Sequence, residues 1–151
     1  MQFFKVFVSF LILNFGALGI GSWLMNNGPR TEWYMNLNQA PWTPPGRVFG
    51  VAWTSIMICF SIYMAQLYLK MPTKEVLTLF ALQFILNVMW NYVFFNQHLI
   101  LIGFLVIILL TILVCYFFFK FDAIQTRYLL LPYILWLCIA TSLNGYILIN
   151  N

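Results

Sequence analysis

Charge is what this chain has least of: 7% of its 151 residues are Asp, Glu, Lys or Arg, against roughly a quarter in a soluble domain. The three acidic residues are Glu32, Glu75 and Asp122, and none sits within the apolar body of a hydrophobic segment. A carboxylate pair for general acid and base work is therefore missing. The single histidine, His98, lies in a short polar turn with no second ligand beside it, which leaves little basis for a metal or haem-iron site. Cys59, Cys115 and Cys138 all fall inside apolar runs without paired spacing, so they read as small buried apolar groups and not as a disulfide framework. No glycine-rich phosphate loop is present either. The net charge of +4 comes from seven basic residues scattered over several loops, with no cluster able to track a phosphate backbone, so nucleic acid is excluded as a partner. Conventional catalysis has no constellation here, and no cofactor is required by anything in the sequence.

What the chain has instead is apolar surface, with 64% hydrophobic residues and 20% Phe, Trp or Tyr. About 20 apolar residues cross a hydrocarbon core of about 30 Å. Five such stretches can be marked, at about 3–25, 46–69, 74–95, 99–119 and 128–149. The fold class that follows is an all-α integral membrane protein, a five-transmembrane-helix bundle forming one domain over 1–151, with its outer faces on membrane lipid. Lysine and arginine accumulate on the cytoplasmic side of membrane proteins. Lys5, Lys70, Lys74, Lys120 and Arg127 share one side of a five-span topology and Arg30 and Arg47 the other. That bias predicts a cytoplasmic N-terminus, with the C-terminus and the long loop outside; the expected location is a bacterial cell membrane.

The first segment admits a second reading as a signal peptide, with Lys5 as its charged end and Gly16-Ala17-Leu18-Gly19 as a cleavage region. It is longer than a usual signal core, and its removal would leave the following segment without a preceding helix. Ala17 and Gly21 stand one helical turn apart and permit close helix contact, within one chain or across a homodimer. Residues 26–45 form the long connection, polar first and then aromatic through Trp33, Tyr34 and Leu37, with Thr31 placed to cap a short helix. Long loops of this kind are often lids.

The chain is organised around the stretch from Pro41 to Trp53. Three prolines in five positions cannot continue a helix, whereas Pro44 and Pro45 suit its first turn. Downstream, Phe49, Trp53 and Met57 recur every four residues, which puts large groups on one helix face. The third segment carries Gln83, Asn87 and Asn91 along one stripe with Trp90 beside it. Such amides either tie helices together or contact a ligand. A second stripe, Tyr133, Trp136, Ala140 and Asn144, follows Pro132 in the last segment and leaves room for a cavity beside Ala140. Pro132 itself is expected to allow a kink in the early turns of that segment. Together these residues predict an apolar, ring-lined pocket suited to a large flat hydrophobic molecule.

Three runs of residues carry a likeness beyond composition. They are Trp33, Tyr34, Leu37, Pro41, Trp42, Pro44, Pro45, Phe49 and Trp53; Gln83, Asn87, Trp90, Phe94 and Phe95; and Pro132, Tyr133, Trp136, Ala140, Thr141, Leu143 and Asn144. In this order, on five hydrophobic segments, they resemble the TspO/MBR family of tryptophan-rich sensory proteins. The resemblance implies a five-helix bundle whose pocket binds porphyrins such as protoporphyrin IX and other flat hydrophobic ligands. It makes Trp53 and Trp136 the porphyrin-associated tryptophans and Ala140 a position that influences affinity. The ligand-binding set it suggests here is Trp33, Leu37, Trp42, Phe49, Trp53, Gln83, Asn87, Trp90, Tyr133, Trp136, Ala140 and Asn144. Relatives that bind cholesterol have an aromatic residue followed by a basic one at the end of the fifth helix. Here Tyr146 is followed by Ile147-Leu148-Ile149-Asn150-Asn151, so the resemblance does not carry a sterol site to that position.

Three function classes remain open from the sequence. A receptor or sensor that binds tetrapyrroles stands first, because a pocket is readable and catalytic groups are not. An enzyme that degrades porphyrin in light stands second, with Trp53 and Trp136 as its catalytic residues. A tetrapyrrole or lipid transporter stands third, since no broken-helix repeat or intramembrane charge pair marks a coupled pathway.

Overall fold

A computed structural model describes every residue from 1 to 151. It contains five helices long and apolar enough to cross a membrane, together with one short helix in the first loop. They are α1 (Gln2–Leu24), the short α2 (Glu32–Met35), α3 (Gly46–Lys70), α4 (Lys74–Asn91), α5 (Ile100–Lys120) and α6 (Leu131–Asn150). The protein is an all-α integral membrane protein.

The helix ends follow from local chemistry. α1 stops where Asn26 and Asn27 take positive φ values of 49° and 58°, a left-handed backbone that asparagine tolerates better than most residues. α3 ends at Lys70 because Met71 precedes Pro72 and is pushed to an extended φ of −137°. Thr73 then caps α4, its hydroxyl accepting the Val76 N–H at 3.3 Å, with Glu75 placed in the positive first turn. At its far end α4 widens into a π turn, Tyr92–Asn96. His98, at φ 57°, reverses the chain into α5.

Two expectations at the proline sites need correction. α3 begins at Gly46, with Pro45 as its extended flanking residue and Pro44 outside, so neither proline enters the first turn. Pro132 lies within the first turn of α6, preceded by a 3-10 turn, Gln125–Leu130. Its missing N–H would have no intrahelical partner there in any case, and no kink is called for.

Around the bundle the order is α3, α1, α4, α5, α6, with α6 returning to meet α3 only sparsely. Close contact with α3 at that end comes instead from the 3-10 turn Gln125–Leu130, where Thr126 donates to Gln66 Oε1 at 3.0 Å. Elsewhere the packing is continuous. Asn14 on α1 donates to the Ser61 hydroxyl on α3 at 2.8 Å, and Ser61 in turn donates to the Met57 carbonyl at 2.6 Å. Phe60, Phe80, Phe117 and Tyr133 form a ring cluster where α3, α4, α5 and α6 converge. Lys120 at the end of α5 pairs with Glu75 at the start of α4.

The small residues of α1 are used inside the chain. Ala17 and Gly21 are buried, and a Cβ at Gly21 would lie 2.7 Å from Asn91 Nδ2 on α4. Gly21 on this face thus packs against α4, the intrachain one of the two uses the sequence left open. Gly16 and Gly19 have open space beside them.

Candidate ligand-binding seam

The sparse contact between α3 and α6 makes a seam, and the aromatic stripes meet along it. From α3, Phe49 and Trp53 project one turn apart. From α6, Tyr133 and Trp136 face them. Phe49 lies edge-on to Trp136 at 5.1 Å between centroids, and Trp53 edge-on to Tyr133 at 5.9 Å. Both are favourable geometries for ring quadrupoles. Beside Ala140, where a cavity is expected, these rings meet across the seam, with Tyr133, Trp136 and Ala140 buried and Phe49 and Trp53 half-buried. Two clefts open elsewhere, one between α1, α3 and α4 and one on the outer flank of α3 around Arg47, Val48 and Val51.

α4 supplies the back of the seam through its polar stripe. Gln83 Nε2 donates to the Tyr133 hydroxyl at 2.7 Å, and Trp90 Nε1 donates to Asn144 Oδ1 at 3.3 Å. Asn144 Nδ2 donates to the Ala140 carbonyl at 2.9 Å. The Asn87 carbonyl accepts from Asn91 Nδ2 at 3.0 Å, with the Asn87 side chain buried on the same stripe. The Gln83–Tyr133 and Trp90–Asn144 bonds tie α4 to α6, whereas the Asn144 and Asn91 amides return to their own helices. Three buried polar atoms are left over, Asn14 Oδ1 on α1 and two at the seam. The Trp136 indole N–H and Gln83 Oε1 are buried without any hydrogen-bond partner. An unpaired polar group in a protein interior costs on the order of 1–3 kcal/mol.

The loop of residues 26–45 covers the end of this seam. Thr31 caps α2, its hydroxyl accepting the Tyr34 N–H at 3.3 Å and donating to the Gly28 carbonyl at 2.7 Å. Trp33 then stacks on the His98 imidazole, centroids 4.0 Å apart and planes 12° apart, and meets Phe94 edge-on at 5.8 Å. Tyr34 packs on Phe94 and Phe95, and Phe94 stacks on Trp90 at 5.7 Å. A chain of rings thus runs from the loop, through the π turn, to the Trp90–Asn144 pair. Burial pushes the Tyr34 hydroxyl up from its ordinary range, because the ionised phenolate would lose water. Leu37 packs half-buried against the core. Beyond it, the Asn38 N–H donates to Asn151 Oδ1 and the Asn38 side chain to the Asn150 carbonyl, both at 2.9 Å, tying the loop to the end of α6.

Of the sequence-derived set, Phe49, Trp53, Gln83, Asn87, Trp90, Tyr133, Trp136, Ala140 and Asn144 are brought together in or behind the seam, and Trp33 and Leu37 cover it. Trp42 stands apart. The Thr43 N–H to Ala40 carbonyl bond of 2.9 Å closes a tight turn with Pro41 and Trp42 at its tip. The Trp42 ring consequently lies on the outer face of α6, 55% exposed, donating to the Ser142 hydroxyl at 3.1 Å and edge-on to Tyr146. Tyr34 joins the lid contact along with Trp33, while Phe94, Phe95 and His98 belong to it without having been singled out for it. The adjacent Phe94 and Phe95 would point about 100° apart on a plain α-helix. In the π turn both are buried, and Tyr34 reaches both.

Comparison with known proteins agrees with the all-α membrane fold. The TspO/MBR family model matches residues 9–149. The tryptophan-rich sensory protein of Cereibacter sphaeroides is 31% identical over 115 residues, covering 75% of this chain and 73% of its own. Protein CrtK of Rhodobacter capsulatus is 32% identical over 119 residues, 74% of each chain. The tryptophan-rich protein TspO of Chlorobaculum tepidum is 29% identical over 141 residues, 89% of each chain.

Proposed function

The chain belongs to the TspO/MBR family, and from that premise we propose that it is a membrane receptor of the sensory type that takes up a flat tetrapyrrole, such as protoporphyrin IX, between α3 and α6. The observation that carries the reading is the Trp136 indole N–H, buried at the seam and without a partner. A porphyrin offers both things the seam asks for. Its flat π surface can replace the ring-on-ring contacts of Phe49, Trp53, Tyr133 and Trp136, and its pyrrole or carboxylate groups can meet the unpaired Trp136 N–H and Gln83 Oε1.

Entry requires the rings to part. The seam is the joint where this costs least, because α3 and α6 share so little surface above the 3-10 turn Gln125–Leu130. Release of the loop from His98 and Phe94 would expose its upper end. A bound ligand that holds the seam apart would change how the loop docks, and this coupling is what a sensor needs.

A second reading rests on Trp53 lying against Tyr133. Two oxidisable rings in contact at the proposed site suit light-dependent breakdown of a bound porphyrin with dioxygen as the oxidant. A titration of the purified protein with protoporphyrin IX, in the dark and under illumination, tests both readings. Saturable tryptophan quenching supports the receptor, and loss of porphyrin absorbance only in light supports the enzyme. Absence of saturable quenching overturns both.

A further inference from the structure

The cleft between α1, α3 and α4 lies away from the seam and has a different chemistry. It is lined by Val6, Phe10 and Leu13 from α1, Tyr68 from α3, and Leu77 and Phe80 from α4, and holds about 200 Å³. Phe10 forms its aromatic centre, edge-on to Phe80 at 4.9 Å and to Tyr68 at 6.1 Å. The groove opens along the outer surface of helices that span the bilayer, so its apolar walls face acyl chains and not water.

Basic residues stand at one end of it. Lys5 is one helical turn before Ser9, which also borders the cleft and donates its hydroxyl to the Lys5 carbonyl at 3.0 Å. Lys74 is one turn before Leu77, and Lys70 closes α3 two residues after Tyr68. Residues a turn apart share a helix face, so Lys5 and Lys74 continue the two walls of the groove to its end. All three lysines are exposed, and none is in a salt bridge. The nearby carboxylate, Glu75, is engaged by Lys120.

We propose that this groove is a site for an anionic phospholipid, with one acyl chain along Phe10 and Phe80 and the phosphate at Lys5 and Lys74, Lys70 adding to the field. Apolar length below and unpaired positive charge above are the complement of one such molecule. A free phosphate would have no use for the groove, and a neutral lipid none for the lysines. The site joins the first three spanning helices on the side of the bundle away from the α3 and α6 seam, and it holds whichever leaflet that end of the bundle occupies.

The test uses the full-length protein in nanodiscs of equal phosphatidylcholine and phosphatidylglycerol, with the retained lipids read by native mass spectrometry. Phosphatidylglycerol should be retained preferentially. The enrichment should fall by roughly five-fold for each of Lys5→Gln and Lys74→Gln, the expected effect of one basic residue near an anionic surface. Arg30→Gln, at the opposite end, should leave it unchanged. Leu13→Trp, which fills a partly exposed position in the groove, should remove the enrichment with all lysines in place. Equal retention of the two lipids by the wild type, or enrichment that survives Leu13→Trp in protein with unchanged helicity, overturns the proposal. In the second case the lysines act only as a charged surface.

Discussion

Gln83 donates to the Tyr133 hydroxyl at 2.7 Å and so ties α4 to α6 behind the seam. The bond also fixes Tyr133 in place against Trp53. Hydrogen bonds between membrane helices average about 0.6 kcal/mol and reach about 1.7 kcal/mol, while a buried polar group left unpaired costs about 1–3 kcal/mol. Gln83→Leu and Tyr133→Phe should therefore each lower stability by about 1 kcal/mol. The double variant should lose less than the sum, because no orphan remains. Unfolding titrations in detergent of the two single variants and the pair measure the coupling. Strict additivity would remove the bond as the cause.

The contact between Gly21 and Asn91 predicts a contrast along α1. Alanine at Gly21 must push Asn91 from its place, where Nδ2 also donates to the Asn87 carbonyl. Because the displaced atom is the end of a half-buried side chain, the expected cost is at the low end of overpacking, about 1 kcal/mol. Alanine at Gly16 meets open space and should be neutral or stabilising by up to about 1 kcal/mol, since glycine is a poor helix residue. Thermal unfolding of Gly21→Ala and Gly16→Ala in the same detergent compares them. Equal melting temperatures would contradict the intrachain use of this face.

Gly28 controls how the loop seats. A side chain there would collide with the Phe95 ring, and Gly28 also accepts the Thr31 hydroxyl. Gly28→Ala should loosen the loop and speed trypsin cleavage after Arg30, while far-ultraviolet circular dichroism stays unchanged. Thr31→Ala should have a smaller effect, from loss of a cap worth about 1 kcal/mol.

The same loop carries a pH dependence. Tyr34 ionises at higher pH in the docked loop than when released, so docking binds the proton more tightly. Its contribution is fully present below the ordinary tyrosine value of about 10 and is lost as pH rises from there through the raised value. Trypsin cleavage after Arg30 should accelerate in that alkaline window, relative to a control peptide. Tyr34→Phe should abolish the acceleration, and a variant that keeps it in full would show that another group is responsible.

The five spans were legible because apolar length is written directly into the sequence, and Thr31 was legible as a cap because its chemistry is local. Which way a side chain faces was harder to read. In a soluble helix the polar face marks the outside, but here lipid and core are both apolar, so Ala17 and Gly21 gave no sign of whether their neighbour was α4 or a second chain. The amides of α4 were the exception: polarity inside a membrane has to be buried, and Gln83 and Asn87 point inward as their stripe implied, with Asn91, the third of the stripe, half-buried. Trp42 misled because it sits among pocket residues in sequence, while its orientation is set by the turn that begins at Ala40. The π turn that buries both Phe94 and Phe95 had no signal in the residue pattern. The meeting of the rings across the seam depends on packing across helices, which spacing along one helix cannot specify.

The central claim is that Trp136 at the seam meets a tetrapyrrole, and the most direct measurement is a dark protoporphyrin IX titration of wild type, Trp136→Phe and Trp42→Phe. Each variant lacks one of the six tryptophans and retains the other five as fluorophores. Phenylalanine keeps much of the apolar contact and loses the N–H, a difference of about 0.5–1.5 kcal/mol for one hydrogen bond. Affinity should therefore drop roughly 2- to 10-fold in Trp136→Phe and stay at the wild-type value in Trp42→Phe, whose ring lies on the outer face of α6. Equal affinity for wild type and Trp136→Phe, or a loss confined to Trp42→Phe, would contradict the account.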